Sequence, residues 1–384
     1  MNTLERQLTE IMQRAVDEGE VAGANVLVRQ RGTQVAYAQA GYADIAENKP
    51  LARDSIFRLY SQSKPVTSAA VMLLMDRGLI DLADPVEKYL PGFHDQKVRI
   101  GNQLVPAERP VMLFDLLCMT AGLSYPGEDE ETAAVFAENE EQIRAGGGMG
   151  TVEFCNRLGQ LPLAFQPGSQ FRYSTCADVL GAVVEVASGV PFSRFLREEI
   201  FDPLGMDDTG FYVPEEKTGR LVTCYDRGAN GLAPYSGIHL AVGDYSREPA
   251  FASGGAGLVS TLDDYAAFAA MLLQGGVFSG RRILSRQAVE RMTSPQLSRD
   301  IQETLWWGHW GYSYGHLMRI CIEPGRSMTY SRKGEYGWDG WLGTYFVNIP
   351  DLEATFLLGQ NLTNAGTTAM TRKCRNAVLA AIGE

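Results

Sequence analysis

Ser61-Gln62-Ser63-Lys64 runs directly into Pro65-Val66-Thr67-Ser68-Ala69-Ala70-Val71-Met72-Leu73-Leu74-Met75, and the reading of the chain turns on this stretch. The apolar run predicts a buried helix, and the residues before it predict that helix's first turn. Residues three apart on a helix share a face, with Cβ atoms roughly 5–6 Å apart. Ser61 and Lys64 can therefore meet. A neutral amine there takes the serine proton and leaves a nucleophile, and the helix N-terminus favours the negative charge that develops. Alone, Ser-x-x-Lys also describes a capping serine followed one turn later by a surface lysine. Its weight comes from partners further along.

Such chemistry needs a second polar element and a strand beside the nucleophile. Phe171-Arg172-Tyr173-Ser174-Thr175 offers the first, between the turn Gln166-Pro167-Gly168-Ser169 and a helical pattern over Val179–Ser188. A tyrosine there can hydrogen-bond to the nucleophile and pass a proton to a leaving group. Lys217-Thr218-Gly219 matches a known strand motif literally but sits in a charged loop after Pro214. Tyr336-Gly337-Trp338-Asp339-Gly340-Trp341-Leu342-Gly343-Thr344-Tyr345-Phe346 is the better candidate. Its glycines are expected to let substrate approach the backbone, and the N–H groups of Ser61 and Trp341 to form an oxyanion hole.

Gly311-Tyr312-Ser313-Tyr314-Gly315 is a literal G-x-S-x-G, but a nucleophile elbow runs from strand to helix. Here the residues after Ser313 read as an alternating strand, and only His316 follows, with no acid between. A histidine-based triad is not expected.

Outward from these motifs, Leu4, Leu8, Ile11 and Met12 mark an amphipathic N-terminal helix. Ala22–Arg31 and Gln34–Tyr42 read as strands around the turn Gly32-Thr33. Val111–Cys118, Phe192–Ile200, Leu262–Leu273 and Thr368–Ile382 read as helices, and Tyr312–Glu323, Thr344–Ile349 and Ala354–Asn361 as strands. The acidic stretch Glu128–Gly150 reads as a solvated helix and loop, or as a lid over a pocket. The expected fold is α+β: an antiparallel sheet flanked by helices and built from both chain ends, with an inserted all-α lobe. The expected units are 1–75 with 300–384 for the sheet and 76–299 for the helices, the site lying at their junction.

The 384 residues are 45% hydrophobic and 21% charged, with a net charge of −12, which argues against nucleic-acid or anionic-membrane partners. No run reaches the roughly 18 apolar residues of a membrane span. The first residues lack the pattern of a secretory signal. Cys118, Cys155, Cys176, Cys224, Cys321 and Cys374 form no Cys-x-x-Cys pair, so free thiols in a reducing cytoplasm are expected. His94, His239, His309 and His316 form no metal-binding pattern, and neither metal nor cofactor is expected.

Taken together, these motifs resemble the serine β-lactamase-related, penicillin-binding-protein-like family, and within it the class C β-lactamase-like esterases. The likeness extends through Ile80-Asp81-Leu82-Ala83-Asp84-Pro85-Val86-Glu87-Lys88-Tyr89-Leu90-Pro91, Leu116-Leu117-Cys118-Met119-Thr120-Ala121-Gly122-Leu123 and Gly254-Gly255-Ala256-Gly257-Leu258-Val259-Ser260-Thr261. It implies Ser61 as acylated nucleophile, Lys64 as base or relay, and Tyr173 as second proton carrier. Which of Lys64 and Tyr173 acts first is open at the level of sequence. Tyr60, Thr175, Trp338, Asp339 and Gly340 are the implied substrate-binding positions.

Two departures shape the expected activity. Thr175 replaces the family's usual asparagine, and Trp338 stands where β-lactamases and DD-peptidases carry a lysine that helps bind the substrate carboxylate. An esterase or acyltransferase acting on a small-molecule ester or amide is therefore expected. A β-lactamase, DD-peptidase or D-aminopeptidase is the alternative, and a catalytically silent binding protein the competing class. Oligomeric state is not legible.

Overall fold

A computed structural model describes residues 1–305 and 310–383. His309 lies outside the described residues. Eight strands form one antiparallel sheet: β1 (Gly23–Gln30), β2 (Thr33–Asp44), β3 (Lys49–Pro50), β4 (Tyr312–Tyr314), β5 (Arg319–Cys321), β6 (Tyr336–Asp339), β7 (Tyr345–Ile349) and β8 (Ala354–Gly359), in the order β4-β5-β6-β7-β8-β1-β2-β3. The two chain ends are sewn together where β1 pairs with β8, Val26 opposite Leu358, Leu27 opposite Leu357 and Val28 opposite Phe356.

Side chains alternate across this seam, as strand geometry requires. Val26, Val28, Phe356 and Leu358 point to one face, where α1 (Thr3–Asp17) and the C-terminal helix Ala369–Ile382 cover them with Leu8, Met12, Cys374 and Val378. Leu27, Leu357 and Phe346 point to the other face and join the larger core with the inserted lobe. Because both faces are covered, these strands read as nearly continuous apolar runs.

Between the two ends of the sheet the main helices are α2 (Lys64–Asp76), α3 (Leu113–Leu117), α4 (Glu130–Arg144), α5 (Thr151–Gly159), α6 (Cys176–Ser188) and α7 (Leu262–Leu273), ahead of the C-terminal α8 (Ala369–Ile382). Helices α2 and α6 are apolar nearly all round and pack together at the lobe's centre. Two helices cross the unit boundaries expected from sequence. Helix α2, expected with the sheet, is central to the lobe. Helix α7, expected with the lobe, lies on the sheet, where Asn348 of β7 donates to the Ala269 carbonyl at 2.8 Å.

Two further differences follow from local backbone geometry. The lobe is not all-α: Lys97–Ile100 with Gln103–Pro106, Tyr225–Gly228 with Gly231–Pro234, and Val277–Phe278 with Arg281–Arg282 form short two-stranded ribbons. They are too short for alternation to mark them. The single strand expected over Tyr312–Glu323 is a hairpin, β4 folding back on β5, with Leu317 at a positive φ of 57° and the Gly315 N–H bonded to the Met318 carbonyl. Alternation is the same before and after such a turn, so the pattern alone hides it.

Candidate active site

Ser61 sits in a 3-10 turn, Tyr60–Ser63, which feeds directly into α2. The residue before it, Tyr60, is held at a φ of 45°, an uncommon conformation for a non-glycine residue. This turn meets the end of β6. A Cβ on Gly340 would collide with the Leu59 carbonyl oxygen, and the Thr344 hydroxyl donates to that same carbonyl at 3.1 Å. Gly337 likewise has no room for a side chain against the Phe346 backbone of β7. Both glycines admit the close approach of neighbouring backbone.

Lys64 is fully buried, and its amine has three acceptors: the Gly255 carbonyl at 2.8 Å, the Tyr125 hydroxyl at 3.0 Å and the Ser61 Oγ at 3.2 Å. Three acceptors match the three hydrogens of an ammonium. They also suit a neutral amine, whose two hydrogens stay on Gly255 and Tyr125 while its lone pair faces the Ser61 hydroxyl. Burial pulls the amine down from its ordinary value to about 8, against the opposing pull of Asp178.

Tyr173 accepts from the Trp338 indole N–H at 3.0 Å, and Ser61 and Trp338 both act to lower its phenol. Lys64 Nζ lies 4.7 Å over its ring. A proton-accepting tyrosine would need a lowered pKa, yet burial pushes the Tyr173 phenol up. The order left open by the sequence is thereby weighted: the amine is the group poised to accept a proton, the phenol the group that keeps one.

These groups open onto a cavity of about 870 Å3 whose wall includes Ser61, Tyr125, Tyr173, Trp338, Asp339, Gly340 and Trp341. Two expected contributors are not brought to it. Tyr60 is buried behind Trp341, ring centroids 5.0 Å apart. Thr175 is buried at the start of α6 with its hydroxyl directed to the Ser124 carbonyl at 3.5 Å. Arg319 lines the cavity, 5.2 Å over the Trp338 ring, and pairs with Asp339 at 3.3 Å. From the acidic stretch, α4 buries Val135, Phe136 and Asn139 inward and contributes Glu140 to the wall.

Both literal motifs set aside in the sequence lie elsewhere. Lys217 is in a charged 3-10 turn and pairs with Asp208 at 2.9 Å. Ser313 is buried in β4, opposite Ile320 of β5, with a strand and not a helix after it. His316 is buried without a hydrogen-bond partner on either ring nitrogen, and burial lowers it to about 3.

Tyr125 and Asp178 were not marked by the sequence reading. Tyr125 lies just past Thr120-Ala121-Gly122-Leu123, and nothing local distinguishes it from a loop tyrosine. Asp178 is detectable as the one acid in the otherwise apolar first turns of α6. Among the described residues no group of three His, Cys, Asp or Glu side chains is placed to hold a metal ion. All six cysteines are free and buried.

The sequence profile of the Beta-lactamase family matches residues 8–382. Protein Rv1367c of Mycobacterium tuberculosis is 31% identical over 89% of this chain and 86% of its own length. Esterase EstB of Burkholderia gladioli is 29% identical over 98% of this chain and 96% of its own. Among solved structures, EstCE1, described as a hydrolase with promiscuous acyltransferase activity, superposes with a TM-score of 0.82 at 26% identity, covering 98% of both chains.

Proposed function

We propose that this chain, which belongs to the Beta-lactamase family of serine hydrolases, is an esterase that forms an acyl-enzyme at Ser61. The observation that carries this reading is the buried Lys64 amine, lowered to about 8 and 3.2 Å from the Ser61 Oγ. A base poised near neutral pH beside a hydroxyl is what serine acylation requires.

Neutral Lys64 takes the Ser61 proton as Oγ attacks the ester carbonyl carbon. The amides of Ser61 and Trp341 receive the oxyanion. Collapse breaks the bond to the alcohol oxygen. Tyr173, still protonated, gives its proton to that oxygen and is reprotonated by the Lys64 ammonium. Water then attacks the acyl-enzyme by the same route and releases the acid.

Trp338 favours uncharged substrates. It offers an indole where a carboxylate-binding cation is found in relatives, and its N–H is committed to Tyr173. Arg319, which lies over the Trp338 ring, is paired with Asp339. An unpaired carboxylate would be costly to bury here. The cavity volume is in the range of drug-sized ligands, so esters bulkier than acetates fit. Acyl transfer to an alcohol is the second reading, supported by this room for an acceptor and by the description of EstCE1.

The test is kcat/KM for p-nitrophenyl butyrate, nitrocefin and a D-Ala-D-Ala peptide under one condition, with fluorescent-phosphonate labelling of Ser61. Ester turnover above both others, with labelling, is expected. Faster turnover of either carboxylate-bearing substrate would return the β-lactamase or peptidase reading, and no labelling would return the silent binder.

A further inference from the structure

We propose that Asp178 is a positioning residue for Lys64, holding the base in place through the Ser253–Ala256 segment. The proposal rests on the acyl-enzyme reading at Ser61. Asp178 is in the first turn of α6 and almost fully buried. Its Oδ1 accepts from the Ser253 hydroxyl at 2.5 Å and from the Gly255 N–H at 2.9 Å. The Ser253 Oγ in turn accepts from the Ala256 N–H at 2.9 Å. That N–H belongs to the same peptide unit as the Gly255 carbonyl, the acceptor closest to the Lys64 amine at 2.8 Å. One carboxylate thus fixes the peptides on both sides of Gly255.

The fit leaves no slack. A Cβ on Gly255 would lie 2.9 Å from the Asp178 Oδ2. On the opposite side, Thr67 of α2 donates to the Gly254 carbonyl at 2.7 Å. Residues 253–256 are therefore gripped between α6 and α2, the helix that carries Lys64 itself.

Charge gives the arrangement a second consequence. Facing Lys64 are the phenols of Tyr125 and Tyr173 and the thiol of Cys176, all pushed up by burial and neutral near pH 7. Facing Asp178 from α5 is Cys155, whose thiol is pushed up the same way. Asp178 is the acid that acts most strongly on Lys64, and Lys64 the cation that acts most strongly on Asp178. Burial raises the Asp178 carboxyl, and Lys64, Ser253 and the Gly255 amide oppose that rise. The anion favours the ammonium, so it limits how far burial can weaken the base. An amine without it would be free at lower pH but a poorer acceptor for the serine proton.

The experiment is the pH profile of kcat/KM on p-nitrophenyl butyrate for the wild type, Asp178→Asn and Ser253→Ala. Asp178→Asn keeps an oxygen for Ser253 and Gly255 but removes the charge. It is expected to lower kcat about tenfold or more and to move the ascending limb down by about one pH unit, with KM little changed. Ser253→Ala keeps both charges and cuts the link to Ala256, so it should lower kcat and leave the limb in place. This second variant decides the matter if Asp178→Asn does not fold. Wild-type kcat in Ser253→Ala, or an unmoved limb in folded Asp178→Asn, would overturn the proposal. Loss of wild-type ester turnover or of Ser61 labelling would instead mark failure of the esterase reading beneath it.

Discussion

The regions around Ser61 and Ser313 both match a hydrolase motif, and both bury a basic side chain three residues after the serine. At Ser61 that side chain is Lys64, with acceptors from three separate segments, Ser61, Tyr125 and Gly255. At Ser313 it is His316, with neither ring nitrogen bonded. Burial lowers both groups, Lys64 to about 8 and His316 to about 3. The first value leaves a base that works near neutrality. The second leaves a ring that stays neutral and does nothing in that range. The lesson is that burial with no anion to oppose it switches a base off, whereas burial opposed by an anion, here Asp178, tunes it.

The largest effect that can break this comparison is loss of the nucleophile. Ser61→Ala should lower kcat by about 10³-fold or more and abolish phosphonate labelling, while Ser313→Ala keeps both. A dead Ser313→Ala protein with an active Ser61→Ala protein would reverse the assignment.

Removal of the proton carriers should come next. Lys64→Ala should cost about 10²–10⁴-fold in kcat, and Tyr173→Phe should fall at the lower end of that range. In each, kcat should fall by more than KM rises. Normal kcat in both would remove these groups from the reaction.

A smaller effect sharpens the comparison through pH. Because Lys64 must be neutral to act, kcat/KM should rise about tenfold per unit as pH climbs toward its value of about 8, then level off. A profile flat from pH 6 to 9 would deny the amine its role.

The smallest effect concerns stability. His316 is lowered from 6.5 to about 3 on folding, so the unfolded chain binds the extra proton between those values. Folding stability contributed by this group is therefore lost as pH falls through that window, by at most about 1.4 kcal/mol per unit. His316→Leu should leave ester turnover unchanged, and its Tm should gain on the wild type as pH drops from 7 to 5. An equal acid sensitivity in the two proteins would show that His316 is not held neutral.

Much of the fold was legible because periodicity is a local property. The apolar run after Lys64, the strands on either side of Gly32-Thr33 and the helix Leu262–Leu273 are all found at or near their expected bounds. Where a two-fold alternation spans a turn, as at Gly315–Met318, pattern and structure part. The ribbon Lys97–Pro106 is lost for another reason: its strands are shorter than the window in which alternation can be counted.

The sequence by itself determined that a serine and a lysine share one helical turn, that a tyrosine and a tryptophan-bearing strand are available to meet them, and that no lysine stands at Trp338. Tertiary structure alone decided which protonation state those groups prefer. The Gly255 carbonyl comes to Lys64 from 191 residues away, and Tyr125 from 61. Tyr60 and Thr175, close in sequence to Ser61 and Tyr173, are turned away from the cavity. Burial raises the Tyr173 phenol, which suits a proton donor and not an acceptor. The reason is physical: side-chain identity fixes a group's intrinsic chemistry, but its pKa and its partners depend on what surrounds it, and that surrounding is assembled only when distant segments pack.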